Sequence, residues 1–161
     1  MKVAVSSDHR GYKAKEQVKG YLAAAGHTVL DFGCDSPASC DYPDTAVAGA
    51  ESIASGEADR GVFFCGSGIG MSIAANKVVG IRAALCHDEL TAELSRRHNN
   101  ANVLCLAADL LGDELVRRIV DVWLGTEYEG GRHERRLKKV AEYERNGHIQ
   151  PSESKPGKDE S

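Results

Sequence analysis

The chain has 161 residues, enough for one domain with a sizeable core, and 42% of them are hydrophobic. Lys and Arg number 20 against 24 Asp and Glu, and the net charge of −4 argues against nucleic acid or an anionic membrane as the general partner. No apolar run approaches the roughly 20 residues that span a bilayer, and MKVAVSSDH turns polar too soon for a signal peptide, so a cytoplasmic protein is expected.

Residues 2–7 read as a strand, followed by Asp8-His9-Arg10-Gly11 and a helix over 12–25 that Gly26 ends. A second strand is expected over 27–32, then a polar loop to Tyr42-Pro43 and a helix over 44–55. The third strand, 60–65, ends at Cys65 and breaks into Gly66-Ser67-Gly68-Ile69-Gly70 before a helix over 71–76. A fourth strand over 80–86, a helix over 88–97, a fifth strand over 102–106 and a helix over 113–124 follow. After Gly130-Gly131 a last helix covers about 132–145. The reading is one domain over 1–148 and a polar tail over 149–161; residues 151–161 hold nothing apolar and are expected to be disordered.

Strands alternating with helices predict an α/β domain, a parallel sheet covered on both faces. Right-handed crossovers put every strand's carboxyl end on one edge, where ligands bind. Asp8-His9 and Cys65 both fall on that edge. They meet only if strands one and three are neighbours, which favours an order beginning 2-1-3 over the dinucleotide-binding 3-2-1-4.

The stretch Gly61 to Lys77 carries the strongest chemical signal. A strand end, three glycines in five residues and a helix start aim several N–H groups at one point, a site for negative charge. Cys65 stands beside it as a candidate base. The turn is no P-loop, since no Gly-Lys-Ser/Thr follows, and the third glycine of a dinucleotide fingerprint would fall at Met71. Asp88 does lie near the spacing of a ribose-binding carboxylate, so a nucleotide-binding module without catalysis is the competing reading. A plain strand-to-helix connection needs fewer glycines.

Other constellations have structural alternatives. Asp8 either contacts ligand or caps the next helix. Asp41-Tyr42-Pro43 reads as a turn. His98-Asn99-Asn100-Ala101-Asn102 exceeds what capping one helix requires. Arg132 and Arg136, at i and i+4 in the first turn of the last helix, oppose its dipole, and a phosphate between them would account for that. Cys34, Cys40, Cys65, Cys86 and Cys105 form no CxxC and are expected as thiols, with Cys86 and Cys105 as packing residues. Cys34 and Cys40 lack the further ligands of a zinc site.

With SDHRGYKAK, DYPD, CGSGIGMSIAANK, GIRAAL, LSRRHNNANVL and WLGTEYEGGRHERR in view, the chain resembles type B ribose-5-phosphate isomerase, in the family of ribose, allose and galactose phosphate isomerases. The resemblance covers about residues 2–143. It implies a three-layer α/β/α Rossmann-like domain with five parallel strands in order 2-1-3-5-4, a C-terminal helix, and a homodimer or dimer of dimers. It implies interconversion of ribose 5-phosphate and ribulose 5-phosphate, in the pentose phosphate pathway, through a cis-enediolate without metal or other cofactor. Cys65 matches the base, Ser67 the hydroxyl that assists transfer between oxygens, and the amides of Gly66, Gly68, Ile69 and Gly70 the enediolate hole. His98 matches the ring-opening acid and Asn99 a residue that steadies the intermediate. Asp8 would contact sugar hydroxyls, Tyr42 line the pocket, and His9, Arg132 and Arg136 bind phosphate. His98 and the arginines are expected to reach Cys65 across a subunit boundary. Asp109 stands where family members often carry a phosphate-binding arginine. That departure leaves allose or galactose 6-phosphate, or a tetrose phosphate, open as substrate.

Overall fold

Alternate side chains of the apolar runs feed two separate cores, and this is what makes those runs strands. In the computed structural model, which describes residues 1–149, β1 (Lys2–Ser7), β2 (Thr28–Asp31), β3 (Arg60–Cys65), β4 (Ala83–Leu85) and β5 (Val103–Ala107) form one parallel sheet in the order β2-β1-β3-β5-β4. Val3, Val5, Val62, Phe64, Leu104 and Leu106 point to one face, where they meet Val18 and Leu22 of α1 (Tyr12–Ala24), Ala92 of α4 (Glu89–Arg97) and Trp123 of α5 (Asp113–Gly125). Ala4, Phe63, Cys65, Val103 and Cys105 point to the other, against α2 (Tyr42–Ala54) and α3 (Ile69–Ala75). The expected α/β sandwich and its strand order are thus present. These elements belong to a unit spanning Met1–Gly130; a second begins at Gly131 and holds α6 (Arg132–Asn146), which ends at the left-handed Gly147. Of the expected tail over 149–161, residues 150–161 lie outside the described residues. Among the described residues no helix is long and apolar enough to cross a membrane.

Three elements begin two or three residues from where they are expected. α2 starts at Tyr42, because Pro43 fits a helix's first turn as well as it fits a loop. α3 starts at Ile69, so Gly70 is helical. β4 is short because the Arg82 N–H, before its first residue, donates to the Asn102 side chain at 2.8 Å. The cysteine expectation also needs correction: Cys34 and Cys40 are joined as a disulfide, their Cα atoms 6.8 Å apart, where the 34–40 loop folds back on itself. Cys65, Cys86 and Cys105 are free and buried.

Lys15 is only 1% exposed, on the inner side of α1. Its ammonium donates to both Asp31 carboxylate oxygens at 2.9 Å and to the Cys34 carbonyl at 2.8 Å, which pins the end of β2 and the next loop to α1. Burial pushes the Asp31 carboxyl up, but hydrogen bonds from Lys19, Lys15 and the Gly33 N–H outweigh it and hold the group below the usual carboxylate range. Folded Asp31 therefore binds fewer protons than unfolded Asp31 around that range. Its contribution is present above about pH 3.9 and lost as pH falls through the lower folded value. Asp31→Asn should cost roughly 1–3 kcal/mol at neutral pH, by depriving a buried ammonium of a charged acceptor. It should also flatten the acid limb of stability against pH. Urea unfolding across that limb checks both.

Candidate active site

β1 and β3 are hydrogen-bonded neighbours, with Ser7 opposite Phe64, and the Asp8 N–H donates to the Phe64 carbonyl at 3.2 Å. Asp8 and Cys65 therefore share the carboxyl edge, as the 2-1-3 order requires. Asp8 Oδ1 accepts from the Arg10 and Gly11 N–H groups, both at 2.9 Å, which closes the turn before α1; the N-cap of α1 is Gly11, without a side-chain cap, so Asp8 does not cap the helix. The residue also lines a cleft of about 390 Å³ with Cys65, Ser67 and Tyr42.

The glycine turn builds the floor of this cleft. Gly68 has φ +74°, and an added Cβ would come within 3.0 Å of the Leu106 carbonyl carbon. That left-handed bend turns the Gly68 N–H onto Cys65 Sγ at 3.1 Å. Ser67 Oγ accepts from the half-exposed Ile69 at 3.3 Å, and the Tyr42 ring lies 3.0 Å from where a Gly70 Cβ would be. The Gly66 carbonyl accepts from the Asp109 N–H at 3.1 Å and the Cys65 carbonyl from Ala108 at 2.9 Å, which ties the turn to the end of β5. Cys65 is 5% exposed at the cleft. Burial pushes the Cys86 and Cys105 thiols up, Cys105 strongly, as packing residues should behave. Gly68→Ala should cost about 1–2 kcal/mol in backbone strain alone and turn the amide off the sulfur. Thermal unfolding and alkylation rate at Cys65 should both change; an unaltered alkylation rate would refute the amide–sulfur coupling.

The other predicted residues lie elsewhere. His9 is half-buried, its Nδ1 3.2 Å from the Cys40 carbonyl, so the disulfide loop holds the ring. His98 ends α4 as its C-cap, with its Nε2 3.7 Å from Glu129 Oε2, and Asn99 beside it is exposed. Both precede the amino end of β5, where the Gly61 N–H donates to the Asn102 carbonyl. The run from Gly61 to Cys65 then puts roughly 13 Å of strand between that edge and the thiol. Within one chain, His98 and Cys65 are not brought together. Asn100 and Asn102 prove structural. Asn100 takes φ 45° and accepts from Arg96 at 3.0 Å; Asn102 donates to the Gly80 carbonyl at 2.9 Å. Arg132 and Arg136 are exposed on α6, in the second unit. The sequence reading missed Arg10 as a cleft residue, and it took Asp109 only as a departure. Arg10 Nη2 pairs with Asp109 Oδ2 at 2.5 Å at the cleft. Opposite charges just past the ends of β1 and β5, the two strands that flank β3, were the available signal.

A thiol under an amide-lined turn, at the carboxyl edge of this sheet, is a setting for proton transfer at a small polar ligand. Residues 3–140 match the family described as Ribose/Galactose Isomerase, and the chain belongs to that family of sugar phosphate isomerases. It is 44% identical over 143 residues to ribose-5-phosphate isomerase B of Escherichia coli, covering 89% of this chain and 96% of that one. It is 41% identical to D-erythrulose-4-phosphate isomerase of Pectobacterium atrosepticum, over 89% and 95% of the two chains. The solved ribose-5-phosphate isomerase B of Clostridium thermocellum superposes with a TM-score of 0.90 at 47% identity, covering 92% of this chain and all of that one.

Proposed function

We propose that the protein interconverts ribose 5-phosphate and ribulose 5-phosphate through a cis-enediolate. The observation that carries this reading is Cys65 Sγ at the cleft with the Gly68 N–H upon it. The thiolate takes the proton from C2 of the open-chain aldose, and the electrons of that bond form C1=C2 and leave the charge on O1. Amides of the 66–70 turn hold that oxygen. Ser67 passes the O2 proton to O1. The O2 anion collapses to the ketone while the thiol returns its proton to C1, so atoms and charge balance with no redox partner.

Asp8 and Tyr42 line the same cleft and orient the sugar hydroxyls. His98 opens the sugar ring and Asn99 steadies the intermediate, and both come from a second copy of the chain. Their place at the far edge of the sheet within one chain supports this. So do Ile69, Ile73 and Leu110, large apolar side chains left exposed on α3 and beside the cleft. His9, with Arg132 and Arg136 of the second copy, completes the phosphate site. A panel of aldose phosphates assayed for ketose formation, with solvent deuterium entering C1 or C2, tests the reading. Turnover of none of them would overturn it. A second reading, a tetrose phosphate as preferred substrate, is favoured by the erythrulose-4-phosphate relative and by Asp109, and the same panel ranks the two.

A further inference from the structure

We infer that Arg10 is a further anion ligand this chain brings to its own cleft, seated by Asp109 to join His9 in taking the phosphate of the sugar phosphate. The inference rests on the isomerase reading and names a residue that reading does not use. Among the residues lining the cleft, Arg10 is the one cation; Asp8 and Asp109 are both carboxylates. Left uncompensated, two carboxylates would repel a phosphate dianion. Both are engaged: Asp8 Oδ1 by two backbone N–H groups at 2.9 Å, Asp109 Oδ2 by Arg10 Nη2 at 2.5 Å.

The Arg10 guanidinium is fixed from two sides yet open to solvent. Its backbone N–H is one of the two held by Asp8, while Asp109 is tied by its own N–H to the Gly66 carbonyl at 3.1 Å. The arginine side chain is still 60% exposed. It lies across the catalytic turn: a Cβ on Gly66 would come within 2.7 Å of Arg10 Nε, so glycine there leaves room for the pair. A guanidinium has five N–H donors in a planar fork, and one contact to Asp109 leaves most of them for a tetrahedral anion. Because Asp109 follows Ala108, whose N–H donates to the Cys65 carbonyl at 2.9 Å, the cation stands at a set distance from the thiol. Arg10 then measures the sugar: it selects a phosphate by its distance from the carbon that loses its proton.

The test is inorganic phosphate, measured as a competitive inhibitor of ribose 5-phosphate isomerisation and by calorimetry independent of turnover. Arg10→Ala should weaken phosphate binding and raise KM about 10- to 100-fold, the scale of one charge-assisted contact, with a smaller change in kcat. Arg10→Lys should restore only part, since a point charge cannot hold carboxylate and phosphate together. Asp109→Ala should also weaken phosphate binding although it removes a negative charge; tighter binding would mean Asp109 merely repels, and would overturn its seating role. Lys13→Ala, outside the cleft, should leave phosphate affinity unchanged. Unchanged phosphate binding in Arg10→Ala, with an active wild type, overturns the inference and leaves the isomerase reading standing. A wild type that isomerises no aldose phosphate overturns that reading instead, while calorimetry still judges Arg10.

Discussion

Cys65→Ser is expected to leave a folded protein that binds sugar phosphate and loses about 10²–10⁴-fold in kcat, the range over which a positioned acid–base group acts. The substitution preserves shape: Sγ ends β3, is nearly buried, and accepts the Gly68 N–H at 3.1 Å, a bond a hydroxyl can also accept. What it removes is the thiol itself, since thiols as a class give up a proton far more readily than alcohols. If Cys65 were simply a small core residue like Cys105, which is fully buried in the same cluster, serine would give a nearly normal enzyme. Wild-type kcat in the serine variant would end the proposal. Iodoacetamide should likewise inactivate the wild type through Cys65, with bound ribose 5-phosphate slowing the reaction.

His98→Ala should lower kcat by about 10²-fold or more with substrates that enter as closed rings, and the defect should be rescued by a chain that is itself inactive. The reason is the sheet's length: within one chain, β3 separates His98 from Cys65. In a two-fold dimer whose sites each combine Cys65 of one copy with His98 of the other, pairing Cys65→Ala with His98→Ala chains leaves one of the two sites intact. Random reassembly makes half the dimers mixed, so about a quarter of wild-type activity should return. Mixed dimers shown to be present but wholly inactive would refute the shared site. Recovery after unmixed refolding of either variant alone would refute it too.

Much of the frame was legible because it depends on short-range pattern. Arg60–Cys65 reads as a strand from its own residues, and placing Asp8 beside Cys65 requires strands one and three to pair, as they do. The glycine turn was legible for a similar reason: three glycines so close imply close approaches, and Gly68 and Gly70 each have one. What escaped depends on partners far off in sequence. Lys15 looks like any helix lysine until Asp31 and Cys34 are folded over it. Arg10 and Asp109 meet only because β1 and β5 both flank β3. The Asp41-Tyr42-Pro43 stretch was ambiguous in itself, since proline suits a turn and a helix start alike. Of the asparagines after His98, one serves a left-handed bend and another a loop tether, roles that composition does not separate.

The alternation along β3 restricts how this chain can change over generations. Cys65 faces α2 and α3 because it follows Phe63, which faces that side, at the next-but-one position of the strand, while Val62 and Phe64 face α1 and α5. A single-residue insertion or deletion within β3 would exchange the two sets and carry the thiol to the face without the cleft. Both cores would still receive apolar side chains, so such a lineage could keep a folded protein with no chemistry. Length changes in the surface loops carry no such parity, and there the family has room to drift. Inside β3, only paired changes preserve both fold and reaction.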